Sequence, residues 1–212
     1  DKTGTLTEGR LALERVVDAD GADAPDALRL AWLNSHFEAG FTNPIDLAIL
    51  ASAGQPTDAD RRRKLAELPF DFERRMLGIL TAEPDGSRLL ITKGAPESVL
   101  ARSSGVRIAG QVQPFDGVRR AKVDGLLHDA ASEGARVIAV ATRTGLLKET
   151  LEPDDEAELT FEGLLVFSDP PKAGIAQTLA DLRSLGIELK IVTGDNELVA
   201  AAIARQVGLD VE

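Results

Sequence analysis

The sequence predicts an α/β protein with two regions of different character. Hydrophobic residues make up 43% of the 212 residues but aromatic residues only 4%, so the core must be mainly aliphatic. In the middle of the chain, predicted strands follow one another through turns, which is typical of an α+β arrangement, an antiparallel sheet with helices. From residue 168 onwards helix, strand and helix alternate, which predicts part of a parallel α/β sheet.

The charge balance excludes several classes of function. The 35 Asp and Glu residues against 24 Lys and Arg residues give a formal net charge of −11, which argues against binding to duplex nucleic acid or to an anionic membrane surface. The absence of Cys excludes a disulfide scaffold, a thiolate zinc site and a Cys nucleophile. No apolar run approaches the length of a membrane span and no signal peptide opens the chain, so we expect a soluble fragment.

The N-terminal part predicts one strand and two helices. Apolar residues between Leu11 and Val17 indicate a short strand. A first helix is expected from the Ala24-Pro25-Asp26 string, because apolar residues then recur at helical spacing. Asn43-Pro44 predicts the start of a second helix, with Asn as the N-cap and Pro in the first turn. The polar residues 53–64 are expected to form an exposed loop or a helix end.

The middle of the chain predicts mainly strands. Residues 66–80 and 88–93 are expected to be strands of an antiparallel sheet, joined by a turn at residues 84–86. The acidic run 152–158 is expected to be a solvated loop and not a metal site. The other elements are a short helix, a hairpin, a long helix and two strands, which are expected at residues 95–100, 106–115, 116–133, 136–142 and 161–167.

The C-terminal part predicts a parallel α/β unit. A helix is expected to about Leu185, then an apolar strand over 187–192, and then a helix over 196–207. Thr193-Gly194-Asp195 lies at the carboxyl end of the strand. Because ligands of parallel sheets bind at the carboxyl ends of the strands, this string is a candidate site.

The first residues, Asp1-Lys2-Thr3-Gly4-Thr5, suit a phosphoryl acceptor. A carboxylate can attack a phosphorus atom and form an aspartyl-phosphate. Lys2 offers a nearby cation, and carboxylate and phosphate oxygens are ligands that Mg²⁺ prefers. Alone, the Asp1 string is typical of ordinary surface and Thr193-Gly194-Asp195 of an ordinary turn. Their occurrence together in one chain favours a phosphoryl-transfer site.

Four strings carry a resemblance to a known family. The strings DKTGTLT (1–7), KGAPE (93–97), DPPK (169–172) and TGD (193–195) resemble the cytoplasmic motifs of the P-type transport ATPases. Three further stretches, AWLNSHF (31–37), NPIDLA (43–48) and PFDFERR (69–75), resemble most closely the bacterial magnesium-transporting members. The resemblance covers essentially the whole chain.

The resemblance implies how the two regions are related. In that family a nucleotide-binding domain (N-domain) is inserted into a phosphorylation domain (P-domain), a haloacid-dehalogenase-like parallel α/β domain. The expected divisions are residues 1–10 for the start of the P-domain, 11–167 for the N-domain and 168–212 for a partial P-domain. The P-domain is therefore expected to be truncated, and the chain alone is expected not to turn over ATP.

The resemblance also implies the site residues. For phosphoryl transfer they are Asp1, Lys2, Thr3, Thr193, Gly194 and Asp195, with Asp1 and Thr3 as ligands of Mg²⁺. For ATP binding, Phe72 is expected to stack on adenine, Arg74 to reach the phosphates and Asp46 to contact the adenine amino group. The remaining nucleotide residues implied are Lys93, Gly94, Arg136 and Asp169.

From the residues alone, other roles stay open for these side chains. Without the resemblance, Phe72 is better explained as core, Asp46 as a solvated helix residue and Lys93 as a surface lysine at a strand end. Arg136 is expected either to bridge toward the ATP phosphates or to pair with local acids.

The function implied is that of a pump that couples ATP hydrolysis to cation transport, with Mg²⁺ as the cation. ATP and Mg²⁺ are the expected cofactors. The expected partners are the transmembrane and actuator domains and the rest of the P-domain, at the cytoplasmic face of the cell membrane. One alternative is a soluble haloacid-dehalogenase-type phosphatase with a cap insertion, although Thr3 stands where its general acid would be. The other is a non-catalytic nucleotide-binding module.

Overall fold

The computed structural model describes residues 4–40, 43–52, 54, 62–187, 190 and 197–209. A 3₁₀ turn, Pro153–Asp155, precedes the last strand. The strands and helices are β1 (Ala12–Val17), α1 (Pro25–Phe37), α2 (Pro44–Ser52), β2 (Arg63–Asp71), β3 (Met76–Ala82), β4 (Arg88–Gly94), α3 (Pro96–Ala101), β5 (Ser103–Ile108), β6 (Gln111–Pro114), α4 (Gly117–Ser132), β7 (Arg136–Thr144), β8 (Leu159–Ser168), α5 (Ile175–Ser184) and α6 (Glu197–Gln206).

The described strands form one eight-stranded sheet in the order β2-β3-β4-β7-β8-β5-β6. Neighbours are antiparallel except β5 and β8, which run parallel. Strand β1 pairs with the second half of β8, beside the part of β8 that pairs with β5. The predicted antiparallel sheet with helices is therefore confirmed, as a mixed sheet with one parallel pair.

Helices cover both faces of the sheet, so neighbouring residues of a strand enter two separate cores. Leu90 packs in one core and Ile91 in the other, because side chains alternate along a strand. The first core includes residues of α3 and α4, and the second includes residues of α1 and α2. Strands buried on both faces need near-continuous apolar runs, which explains the fully buried start of β3 and most of β8.

The expected helices are present where the structure describes them. Asn43 caps α2 as predicted, because its Oδ1 accepts hydrogen bonds from the backbone N–H groups of Ile45 (2.9 Å) and Asp46 (3.1 Å). The helices expected after residue 168 correspond to α5 and α6. The expected strand over 187–192 and the string Thr193-Gly194-Asp195 lie mostly or wholly outside the described residues, so the parallel P-domain sheet stays a prediction.

The chain start and the C-terminal helices share a small core of their own. Leu6 packs with Leu179 of α5 and with Val207, which follows α6. Helix α6 also contacts the end of α4, where Gln206 Nε2 donates a hydrogen bond to the Glu133 carbonyl at 3.1 Å. The last part of the chain therefore packs against the sheet domain through α4.

The prediction of one strand over residues 66–80 is wrong. This stretch is a hairpin, in which β2 and β3 are joined by residues 72–75. Arg75 adopts a left-handed conformation with φ of 56° in this turn. The turn contains no Gly, Pro or Asn, the residues that usually mark one in a sequence.

The prediction that residues 152–158 are solvated is confirmed for residues 152–154 and 158, which are exposed, but it is wrong for Asp155 and Glu156. The side chains of Asp155 and Glu156 are buried and both form ion pairs. Their partners, Lys148 and Arg74, lie 7 and 82 residues away in sequence, so a local pattern of acidic residues did not indicate burial.

No helix in the described part of the chain is long and apolar enough to cross a membrane.

Candidate functional site

A cleft of about 530 Å³ lies beside the sheet, and the start of helix α6 contributes to its lining. One wall comes from the start of α2, the end of β2, the start of β3 and the end of β4. The other comes from α4, the start of β7 and the start of α6. Its apolar lining includes Phe70, Ile45, Leu77 and Leu198, and its charged lining includes Glu38, Asp46, Arg75, Lys93 and Arg136.

Lys93 and three polar partners form a buried group at this cleft, named here the Lys93 cluster (Ser35, Glu38, Asp46 and Lys93). Lys93 Nζ donates to Ser35 Oγ at 2.9 Å and to Glu38 Oε2 at 3.0 Å, and it forms an ion pair with Asp46 Oδ1. Lys93 is 6% exposed and Asp46 is 1% exposed. The lysine at the end of β4 is therefore a buried group and not a surface residue.

Only one carboxylate oxygen of Asp46, Oδ1, accepts hydrogen bonds from the described residues. Asp46 lies in the first turn of α2, where the helix dipole favours a negative charge. Its Oδ1 accepts hydrogen bonds from Ser35 Oγ at 2.7 Å and from Lys93. Its Oδ2 is buried and has no hydrogen-bond partner among the residues that the structure describes.

Glu38 is the second carboxyl group of the Lys93 cluster. Burial raises the pKa of Glu38 above its ordinary value, and the neighbouring Lys93 opposes that shift in part. The raised pKa reflects the cost of removing the charge from water.

The turn between β2 and β3, named here the Phe72 turn (residues 72–75), carries an exposed aromatic side chain. Phe72 is 89% exposed and packs edge-to-face against Phe70, which is 50% exposed, with ring centroids 5.4 Å apart. Asp71 Oδ1 accepts hydrogen bonds from the backbone N–H groups of Glu73 and Arg74, which lower the pKa of Asp71. Phe70 and not Phe72 lines the cleft in this structure.

Arg74 and Arg75 lie in different places although they are adjacent. Arg74 forms an ion pair with Glu156 and donates to the Pro69 carbonyl at 2.6 Å, and it does not line the cleft. Arg75 lines the cleft, with Glu97 3.8 Å away. Arg74, which the resemblance assigns to the phosphates, is therefore directed toward Glu156 and away from the cleft.

Gly94 is required by the packing of the protein itself. A Cβ on Gly94 would lie 2.4 Å from the Arg75 carbonyl oxygen and 2.8 Å from Met76 Cα. The same Arg75 carbonyl accepts a hydrogen bond from Ala95 N at 2.9 Å. Gly94 thus lets the end of β4 lie directly against the Phe72 turn.

The other sequence-predicted residues fall into three groups. Arg136, the first residue of β7, lines the cleft. Asp169 lies outside the cleft lining, where it accepts hydrogen bonds from Thr7 Oγ1 (2.6 Å) and Gly9 N (2.9 Å) and so joins the two segments that enter and leave the sheet domain. The third group lies outside the described residues: Asp1, Lys2, Thr3, Thr193, Gly194 and Asp195.

Comparison with known proteins shows the family of the chain. Residues 41–174 match the sequence model of a family described as "P-type ATPase, cytoplasmic domain N". The chain belongs to the P-type ATPase family.

Several P-type ATPases are similar to the chain over most of its length. It is 40% identical over 214 residues to "Magnesium-transporting ATPase, P-type 1" of Escherichia coli (strain K12), which covers 99% of this chain and 24% of that protein. The protein of the same name in Salmonella typhimurium (strain LT2) is 39% identical over the same shares. "Calcium-transporting ATPase" of Bacillus subtilis (strain 168) is 36% identical over 69% of this chain and 17% of its own length. The chain thus spans about a quarter of the length of the magnesium-transporting relatives.

Sequence reasoning missed three cleft residues of this P-type ATPase chain. Phe70 and Arg75 belong to the PFDFERR string, but a single predicted strand gave no reason to separate them from their neighbours. Glu38 lies just after α1, and only the folded chain brings it within 3.0 Å of Lys93, 55 residues away. No local signal in the sequence indicates that contact.

Proposed function

We propose that this chain binds ATP in the cleft, as the nucleotide-binding part of a P-type ATPase. The cleft is of the size that small-molecule sites have, about 300–1,000 Å³. It combines apolar walls with a few charged groups, the usual composition of such sites. The observation that carries the proposal is the Lys93 cluster, in which Asp46 lines the cleft and keeps a buried oxygen without a partner in the described part of the chain.

The adenine amino group suits the spare oxygen of Asp46. A buried acceptor without a hydrogen bond costs about 1–3 kcal/mol, so a ligand that supplies a donor there recovers this cost. The amino group of adenine is a donor, whereas guanine and hypoxanthine carry an acceptor at that position. The proposed role of Lys93 is to fix the orientation of Asp46 through Oδ1.

The Phe72 turn and Arg136 supply the other interactions. Phe72 and Phe70 offer aromatic faces near the cleft, and stacking on a base is worth about 1–3 kcal/mol per base. Arg75 and Arg136 line the same cleft and place positive charge where the phosphates would lie.

The whole protein is proposed to be a pump at the cytoplasmic face of the cell membrane. Asp1 would accept the γ-phosphoryl group as an aspartyl-phosphate, with Asp1 and Thr3 as ligands of the Mg²⁺ that accompanies ATP. Residues 193–195 would complete that site in a haloacid-dehalogenase-like P-domain. The names of the closely similar relatives support Mg²⁺ as the transported cation.

The phosphorylation proposal is tested on the full-length protein. Incubation with ATP labelled at the γ-position should give an acid-stable, hydroxylamine-sensitive phosphoprotein, and Asp1→Asn should abolish it. Label retained in Asp1→Asn would contradict the assignment. This chain alone, which spans about a quarter of such relatives, is proposed to bind ATP without turning it over.

The ATP-binding proposal is tested on this chain by calorimetric titration with ATP, using Phe72→Ala beside wild type. Phe72→Ala should weaken ATP binding by about 1–3 kcal/mol, through loss of one stacked base. The matched control is Leu147→Ala, since Leu147 is 90% exposed and does not line the cleft. Saturable binding that is equally strong in Phe72→Ala and in the control would contradict the stacking role, and no saturable binding by the folded wild type would contradict the site.

A further inference from the structure

A buried ion pair joins the Phe72 turn to the segment before β8. Arg74 Nη1 pairs with Glu156 Oε2, and the two side chains are 10% and 0% exposed. The second nitrogen, Nη2, donates to the Pro69 carbonyl at 2.6 Å. The guanidinium group is therefore held by the protein at both Nη atoms.

The segment that carries Glu156 is itself fixed. Asp155 Oδ2 lies 2.8 Å from Lys148 Nζ and accepts a hydrogen bond from Glu152 N at 2.7 Å. The Asp155 carbonyl accepts a hydrogen bond from Arg143 of β7 at 3.0 Å. Glu156 thus extends from a segment that is anchored to the sheet.

The Glu156 carboxyl group passes close to Gly78 of β3, where it pairs with Arg74. A Cβ on Gly78 would lie 2.9 Å from Glu156 Oε1, so a larger residue would collide with the carboxyl group. Burial raises the pKa of Glu156, and the positive charge of Arg74 opposes that shift. Burying this carboxyl group costs free energy, and the largest opposing interaction is with Arg74 of the Phe72 turn, with a smaller one from Arg102.

We propose that Glu156 is a positioning residue of the ATP site. It holds Arg74 and, through Arg74, the turn that presents Phe72 and Arg75, so that Arg74 braces the turn instead of contacting the phosphates. This inference rests on the proposed ATP binding and deepens it.

A series of ligands separates this role from a phosphate contact. If Arg74 contacts phosphate, its loss weakens ATP binding far more than adenosine binding. If Arg74 braces the turn, its loss weakens adenosine and ATP binding by the same factor, because only the presentation of the turn has changed. The test is a set of titrations with adenosine, AMP, ADP and ATP on wild type, Arg74→Lys and Glu156→Gln.

We expect Glu156→Gln to weaken all four ligands equally. Loss of the whole stacking contact corresponds to roughly 5- to 150-fold in affinity, and Glu156→Gln should give a part of this loss. In the Glu156→Gln background, Phe72→Ala should then cost less than it costs in wild type. A role confined to global stability would lower the melting temperature without this coupling.

Arg74→Lys and Glu162→Gln complete the design. Arg74→Lys keeps the charge beside Glu156 but lacks the second nitrogen for Pro69, so we expect an equal partial loss for adenosine and ATP even if Glu156→Gln does not fold. Glu162→Gln removes the charge of another buried carboxyl group, which pairs with the half-buried Arg107 outside the cleft lining, and should leave affinity unchanged.

Two results would overturn this inference and leave the proposed ATP binding standing. One is a loss in Arg74→Lys that exceeds tenfold for ATP but is absent for adenosine, and the other is an unchanged adenosine affinity in folded Glu156→Gln. If wild type binds neither ligand, or if Phe72→Ala has no effect in wild type, the proposed function fails and the inference fails with it.

Discussion

The Lys93 cluster and the Phe72 turn lie at the same cleft but are built in opposite ways. The Lys93 cluster is buried, polar and held by hydrogen bonds among its own members. The Phe72 turn exposes the side chain of Phe72 beside that of Phe70, and its Arg74 forms an ion pair with Glu156. The difference indicates that the polar part of the site is preformed, whereas the apolar part depends on how a surface turn is supported.

The largest expected effect is that of removing the cation of the Lys93 cluster. Lys93→Ala leaves Asp46 and Glu38 close together without their shared partner, and breaking a buried ion pair in this way costs about 3–5 kcal/mol. The free energy of unfolding is measured by urea denaturation. Lys122→Ala is the control, because Lys122 pairs with Asp20 at the surface and such pairs contribute about 0–1 kcal/mol. Equal losses in the two variants would contradict the account of the cluster.

The next effect tests the support of the Phe72 turn from β4. Gly94→Ala places a Cβ 2.4 Å from the Arg75 carbonyl, and such overpacking costs about 1–3 kcal/mol. We expect lower stability together with weaker ATP binding, measured by denaturation and calorimetry. Gly125→Ala in α4 is the control, since nothing lies within 4 Å of its Cβ position and Ala is favoured there by about 1 kcal/mol. A Gly94→Ala variant as stable as this control would show that the close approach is not needed.

The polar part of the site should discriminate between bases. ATP should bind more tightly than ITP by about 1–3 kcal/mol, because hypoxanthine leaves the spare oxygen of Asp46 without a donor. Asp46→Asn should reduce this difference, because the amide can donate to the ITP carbonyl. Competition titrations with the two nucleotides measure it. Equal affinity for ATP and ITP in wild type would contradict the role of Asp46.

The smallest effect concerns the pH dependence of stability. Because the pKa of Glu38 is raised in the folded state, its contribution to stability is complete below about pH 4.5 and is lost as the pH rises through the raised pKa. The difference in unfolding free energy, wild type minus Glu38→Gln, should therefore fall as the pH increases from about 4.5 toward 7. Urea denaturation at several pH values measures this difference, and a rise over that range would contradict the assignment.

Local patterns predicted the helices and most strands but not the interior of the site. The N-cap at Asn43 and the apolar spacing of α1 are local signals, and the structure bears them out. The Phe72 turn was missed because its stability comes from Asp71 and from Glu156, of which the latter is distant in sequence.

The site shows the same division between local and long-range information. The KGAPE string located Lys93 and Gly94, but no local pattern indicated that Lys93 is buried beside Glu38. Gly94 was implied as a nucleotide residue, whereas in the structure the close neighbour of its Cβ position is the Arg75 carbonyl. Burial of charged groups depends on partners that only the fold brings together.

The central claim is that adenine binds between the Lys93 cluster and the Phe72 turn. The most direct measurement is an NMR experiment on this chain with saturating ATP, in which nuclear Overhauser effects are collected from adenine H2 and H8. We predict contacts to the ring of Phe72 and to the side chains of Ile45 and Leu77, which line the cleft. Contacts that instead involve a smaller cavity beside Val17 and Leu164 would contradict the account.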